Sequence, residues 1–141
     1  VYRGFSIHKD ADVREGRYKT NNPHADKQDA GIGLSFTFDR AVANFFATQY
    51  YIQDDKLFWM HPDTLHKMER PSIPSLVNKD LIDVDKSRRV VATYSIRKDD
   101  IFYFDASMGE EEILTFPDRA KLLRYDFLNP KDNFYLPHMK S

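Results

Sequence analysis

The sequence predicts an α+β domain, because helical periodicity is concentrated in its first half and strand alternation in its second. Asp39 is suited to cap a helix, and the apolar residues after it recur along one helical face: Val42, Phe45, Phe46 and Tyr50. Alternating apolar residues then predict four strands, over residues 89–96, 101–105, 112–116 and 121–128. We therefore expect an early amphipathic helix to pack on a later, mainly β half.

Two further strands are predicted before that helix, over residues 1–8 and 32–38. The second of them carries hydroxyl side chains on one face and apolar side chains on the other. Residues 62–70 fit a second short helix, since proline is tolerated in a first turn. Residues 71–86 contain two prolines and scattered charges, which indicates a long exposed connection.

The composition excludes several classes of protein. The 141 residues are 41% hydrophobic and 30% charged, which predicts a single globular domain over residues 1–141, with residues 129–141 as a surface tail. The chain has no cysteine, and its five histidines lack metal-ligand spacing, so we expect no metal. The net charge of -1 gives no general attraction to nucleic acid or membranes, and no apolar run reaches the roughly 20 residues of a membrane helix.

Arg3 is the first residue suited to chemistry. It shares strand parity with Phe5 and Ile7, so it points to the side that should be buried, where a charge needs a partner. Its planar guanidinium suits a phosphate or a carboxylate, although a structural salt bridge is the more common explanation of such a residue.

Two further segments carry polar groups at strand positions. Ser35 and Thr37 can hold a carboxylate or a ribose, or they can form an ordinary solvated strand face. Glu110 and Glu112 share a face with Leu114, so either their carboxylates line a cleft or the strand frays into solvent at Glu110. A solvated turn is the more common explanation of such a run of charges. The glycines before Ser35 lack the third glycine of a dinucleotide fingerprint, which excludes a Rossmann dehydrogenase.

In this order the three segments resemble the mono-ADP-ribosyltransferases of the Arg / Ser-Thr-Ser / Glu-x-Glu class, including bacterial and phage toxins and effectors. The resemblance covers residues 1–128. It rests on Tyr-Arg-Gly at the start, Ser-Phe-Thr followed by Asp39 and a helix, and Glu-Glu-Glu-Ile-Leu near the end. Phe36 departs from the family's middle threonine but should face away from the site, and Thr37 keeps the hydroxyl of the second serine.

The resemblance implies a split β-sandwich that binds NAD⁺, the co-substrate, in a cleft between sheets. Arg3 would contact the phosphate or ribose side of NAD⁺, and the backbone of Gly4 would hold the nicotinamide amide. Ser35 and Thr37 would also line this cleft, and Ser35 would position Glu112 by a hydrogen bond. Phe46 would pack near the nicotinamide, although its spacing equally suits core packing.

By the same resemblance Glu112 would stabilise the oxocarbenium-like ribose, and Glu110 would orient and deprotonate the acceptor. Such a pair implies an arginine side chain of a target protein as acceptor, with a nucleic-acid base ranked second. Hydrolysis of NAD⁺ in the same cleft, or a catalytically silent binding module, are the alternatives.

Toxins of this type often travel with an inhibitor, so an antitoxin protein is a further partner that the resemblance implies. The expected site of action is the cytoplasm, whether or not the protein is first secreted or delivered, and no membrane partner is expected.

Overall fold

The structure is a computed structural model that describes residues 1–11, 34–61, 66–72, 79–105 and 111–128. Its strands are β1 (Tyr2–His8), β2 (Leu34–Thr37), β3 (Tyr50–Gln53), β4 (Lys56–Met60), β5 (Lys67–Arg70), β6 (Ser87–Ile96), β7 (Tyr103–Asp105), β8 (Glu112–Thr115) and β9 (Ala120–Leu128). One α-helix, α1 (Arg40–Thr48), lies in the first half, and short 3-10 helices span Lys79–Leu81, Lys98–Asp100 and Pro117–Arg119. The described residues therefore form an α+β fold that is mostly β-sheet.

The strands form two antiparallel sheets. One has six strands in the order β7-β8-β2-β1-β6-β9, and the other has three in the order β3-β4-β5. One face of the larger sheet, here called the core face, carries the main cluster of buried side chains: Phe5, Ile7, Phe36, Val90, Ala92, Tyr94 and Ile113. The opposite face, here called the helix face, carries α1. None of the helices in the described part of the chain is long and apolar enough to cross a membrane.

Helix α1 begins where the sequence predicts. The Asp39 carboxylate accepts a hydrogen bond from the Ala41 N–H at 3.0 Å, which satisfies one of the free donors of the first turn. The helix then buries one face: Val42, Ala43, Phe45, Ala47 and Thr48. It ends at Thr48, so Tyr50, which the periodicity places on the helical stripe, belongs instead to β3.

Gly4 allows α1 to lie directly on the sheet. A Cβ atom at Gly4 would stand 1.6 Å from the Ala43 carbonyl oxygen and 2.6 Å from its carbon. Both atoms belong to the helix backbone, so a rotamer change of a side chain cannot relieve the clash. The glycine is therefore required by packing, whatever its backbone binds.

A buried arginine joins the two sheets. Arg89 on β6 is 2% exposed, and its guanidinium donates to the carbonyl oxygens of Leu81, Ile82 and Tyr50, and to Ser87 Oγ, at 2.9 to 3.3 Å. Burial lowers the pKa of Arg89 to about 10, and Asp83 partly opposes this shift. The group is therefore still charged at neutral pH, and β3 and the residues before β6 are tied to the larger sheet.

Two expectations for the middle of the chain are wrong. Residues 67–70 form strand β5 rather than the end of a helix, because they pair along β4, while residues 62–65 lie outside the described part. Leu81 and Ile82 are buried, so the connection over residues 71–86 is not exposed throughout.

The hairpin β3–β4 had no counterpart in the sequence-based prediction. Its turn contains Asp54 and Asp55 with φ of 53° and 61°, a conformation that aspartate tolerates and that tight hairpins need. The expected tail, residues 129–141, lies outside the described residues.

We expect Gly4→Ala to destabilise the fold by about 3 kcal/mol, because the added methyl group overlaps the helix backbone. Chemical denaturation monitored by circular dichroism measures this change. Alanine normally costs nothing relative to glycine within a strand, so an unchanged free energy of unfolding would contradict the close approach of α1.

We expect Arg89→Leu to cost at least about 3 kcal/mol, because it leaves three buried carbonyl groups and a hydroxyl without their donors. The matched control is Arg88→Ala. Arg88 is exposed and lies over the Phe127 ring at 4.5 Å, a contact worth about 1 kcal/mol at most at an exposed site. Equal losses in the two variants would show that Arg89 does not join the sheets.

Candidate functional site

Ser35 and Glu112 meet across adjacent strands of the larger sheet. The Ser35 Oγ donates a hydrogen bond to Glu112 Oε2 at 2.8 Å, although the two residues are 77 apart in sequence. Strand register explains the contact: Ser35 is the partner of Leu114 and Thr37 is the partner of Glu112, so both side chains are on one face. Ser35 is exposed and Glu112 half-buried, which leaves the pair accessible to a ligand.

Further residues share this face with the pair. Tyr2 is the partner of Thr37, and Asp105 is the partner of Glu112 on the other side. Directly opposed residues in antiparallel strands project to the same side. Gly4 has the parity of Tyr2, so this is the helix face, on which α1 lies.

The strands β1 and β2 separate beside this site. Among the described residues, Tyr2 and Thr37 are the one pair of partners between these strands, and Gly4 and Ser35, next in register, are not paired. Backbone bonds from Tyr94 to Val1 and from Lys9 to Lys86 show that odd-numbered residues of this strand bond toward β6. By alternation, the N–H and C=O of Gly4 point toward β2 and into the gap.

The structure does not bring Arg3 together with Ser35 and Glu112. Arg3 is the partner of Ala92 on the core face, and its guanidinium carbon lies 5.2 Å from the centroid of the Phe5 ring. Because strand side chains alternate, Arg3 projects to the face opposite the Ser35–Glu112 pair. The expectation that all three side chains converge is therefore wrong for Arg3.

The remaining predicted site residues have separate surroundings. Thr37 is 5% exposed, and its Oγ1 accepts a hydrogen bond from the Asp39 N–H at 3.1 Å, so it supports the start of α1. Phe46 is half-buried and packs edge to face on Phe45 with ring centroids 5.5 Å apart. Glu110 lies outside the described residues.

Sequence reasoning missed Tyr103 and Asp105 as neighbours of the site. The Tyr103 hydroxyl donates to Asp105 Oδ2 at 3.2 Å, and Asp105 is the strand partner of Glu112. The negative charge of Asp105, its hydrogen bond and, to a smaller extent, Glu112 raise the pKa of Tyr103 above its ordinary value. The alternation over residues 101–105 indicated a strand, but which strand it pairs with is visible only in the fold.

A pocket of about 670 Å³ lies elsewhere, on the smaller sheet, and is lined by Ile52 and Leu57 together with charged residues such as Arg70. Ser35 and Glu112 do not line it. Among the described residues, no group of three or more histidine, aspartate or glutamate side chains could hold a metal ion.

Comparisons with known proteins identified no relative: no protein-family model, no curated protein and no solved structure matches this chain.

We expect Asp105→Asn to lower the pKa of Tyr103 toward its ordinary value, because the substitution removes the negative charge that disfavours the phenolate. Glu112→Gln should lower it by a smaller amount. Ultraviolet difference titration, or NMR of the labelled tyrosine, measures both shifts, with Glu69→Gln on β5 as the control. If Asp105→Asn leaves the titration unchanged, the Tyr103 hydroxyl does not pair with Asp105, and an unchanged titration in Glu112→Gln would contradict the placement of β7 beside β8.

Proposed function

We propose that this chain cleaves the bond between nicotinamide and ribose in NAD⁺ and transfers ADP-ribose to a macromolecular acceptor. The observation that carries the proposal is the hydrogen bond from Ser35 Oγ to Glu112 Oε2. A hydroxyl that donates to one carboxylate oxygen restricts where the other oxygen points, and such positioning is a large part of catalysis. These two residues are the ones to which the resemblance gives the positioning and catalytic roles.

The reaction needs a fixed carboxylate. When the carbon–nitrogen bond breaks, its electron pair leaves with nicotinamide and the ribose carbon gains oxocarbenium character. The Glu112 carboxylate would stabilise this positive charge, and a hydrogen bond from the ribose 2′-OH would hold the sugar in place. The acceptor then attacks the same carbon and gives its proton to a base, the role that the resemblance gives to Glu110.

The backbone of Gly4 offers a place for the nicotinamide amide. A carboxamide has one acceptor oxygen and two donor hydrogens, so it can pair with one residue's N–H and C=O as a neighbouring strand would. The Gly4 groups point into the gap between β1 and β2, and β2 carries Ser35 on its side of that gap. Nicotinamide bound there would bring its ribose toward the Ser35–Glu112 pair.

Arg3 takes no direct part in this version of the mechanism. Its guanidinium lies over Phe5 on the core face, so we assign it the support of β1 rather than contact with the reacting ribose. Thr37 likewise supports the strand end and α1 through its bond from Asp39. A protein arginine side chain is the acceptor we favour, with a nucleic-acid base second and water as the acceptor of a hydrolase.

A second candidate function is binding without catalysis. The position of Arg3 favours a catalytically silent binding module. Its guanidinium lies over Phe5, so it does not take the contact with the NAD⁺ phosphates that the resemblance assigns to it.

The decisive experiment measures nicotinamide release from NAD⁺. We expect release by the unaltered protein, a loss of about 100-fold or more in Glu112→Gln, and a loss of about 10-fold in Ser35→Ala. Glu69→Gln, an exposed glutamate on the other sheet, is the matched control and should keep full activity. No release by the unaltered protein would leave the binding module as the better description.

Two further variants divide the roles within the same assay. Arg3→Ala should change the KM for NAD⁺ by no more than about twofold if its guanidinium points away from the ribose. Labelled NAD⁺ with a lysate, analysed separately for protein and nucleic acid, identifies the acceptor. Glu110→Gln should abolish that transfer and spare hydrolysis, whereas loss of both together would contradict a separate role for Glu110.

A further inference from the structure

Exposed phenylalanines are concentrated at one edge of the larger sheet. Phe38, Phe102, Phe104 and Phe116 are 52%, 49%, 53% and 49% exposed. Phe38 packs edge to face on Phe104 with ring centroids 5.7 Å apart, and Phe102 packs on Phe116 at 4.9 Å. These four residues are here called the aromatic rim.

The exposed apolar area of the rim is large enough for a binding surface. Four half-exposed rings present roughly 400 Å² of apolar surface. That is within the range in which the largest apolar patch on a protein is often functional. Two members, Phe102 and Phe104, stand on either side of Tyr103 in one segment, so the two ring pairs are neighbours along β7.

Among the described strands of the larger sheet, β7 stands at one end of the strand order. β7 is the terminal strand of the larger sheet, paired with β8 on one side and with no other described strand on the other. A terminal strand presents a row of backbone donors and acceptors that an extended peptide can pair with.

The charges around the rim determine which kind of peptide fits. Residues 97–105 and 111–119 hold six carboxylates against three cationic side chains, although the whole chain has a net charge of only -1. The carboxylates are Asp99, Asp100, Asp105, Glu111, Glu112 and Asp118. This surface attracts a cationic segment and repels a nucleic acid or an anionic membrane.

We propose that β7 and the aromatic rim form the docking surface for an extended, arginine- or lysine-rich segment of a partner protein with apolar side chains at alternate positions. Asp105, the partner of Glu112, faces one side of the sheet and Phe104, the partner of Ile113, faces the other. A segment paired with the outer edge of β7 would therefore direct alternate side chains toward the carboxylates on the Glu112 side and toward the rim on the opposite side. The inference rests on the proposed function only in identifying this partner as the acceptor. Docking itself is measured without NAD⁺.

The probe is a synthetic peptide that alternates arginine with leucine, compared with the same peptide carrying glutamate for arginine. Fluorescence anisotropy of the labelled peptides measures Kd. We expect the arginine peptide to bind at least about 10-fold more tightly than the glutamate peptide, with weaker binding at higher salt. A single-stranded oligonucleotide and phosphatidylserine vesicles should not bind.

Two sets of variants locate the surface. Phe38→Ser with Phe104→Ser should weaken binding of the arginine peptide by about 10-fold or more, because both rings would be covered in the complex. Phe127→Ser on β9, at the opposite edge of the sheet, is the matched control and should change Kd by less than about twofold. Asp99→Lys with Glu111→Lys should weaken binding similarly and reduce its salt dependence, whereas Glu69→Lys should not.

The charge variants keep the inference testable if the phenylalanine variants fail to fold. Equal affinity for the two peptides, an unchanged Kd in both sets of variants, or preferential binding of the oligonucleotide or vesicles would overturn the docking surface. Self-association that the rim variants abolish, with no peptide binding, would assign the rim to a second copy of the chain and would also overturn it. Docking without nicotinamide release would remove the proposed reaction while leaving the surface in place.

Discussion

The register between β2 and β8 is the constraint on which the candidate site depends. Thr37 opposes Glu112 and Ser35 opposes Leu114, so the hydroxyl and the carboxylate project from one face while Phe36 and Ile113 enter the core from the other. A slip of one residue would exchange the two sets and bury a carboxylate. Burial of Phe36 and Ile113 therefore holds Ser35 and Glu112 at hydrogen-bonding distance, and the same packing that stabilises the sheet also orients the polar pair.

The buried Arg89 has a related role at the other side of the fold. Removing a guanidinium from water is costly, and the depressed pKa of Arg89 reflects that cost. Three carbonyl oxygens and one hydroxyl offset it by accepting four hydrogen bonds. Only a donor with the planar, branched geometry of arginine reaches all four, so the residue fixes how β3 and the 3-10 helix before β6 attach to the larger sheet.

The acceptor we propose, a protein segment rather than a nucleic acid, rests on two separate arguments. The resemblance to mono-ADP-ribosyltransferases implies an arginine acceptor through the Glu110–Glu112 spacing in the sequence. The aromatic rim and the carboxylates near it suggest a cationic protein segment independently, from the edge strand β7, where Phe104 faces away from Glu112 and Asp105 faces the same side as Glu112. Arg3 does not take the position that the resemblance implies, since the alternation of β1 turns it toward the core face.

Local patterns in the sequence were sufficient for the start of α1 after Asp39, for the strands β6 and β9, and for the common face of Ser35 and Thr37, because capping and alternation act within a few residues. They did not give β5, the β3–β4 hairpin or the burial of Leu81 and Ile82, since these depend on partners distant along the chain. The long separation along the chain also explains why the sequence did not predict which side chains of the site meet. The sequence alone indicated that Ser35 and Glu112 are suited to one task, whereas the pairing of strands decided that they touch, that Asp105 joins them and that Arg3 does not.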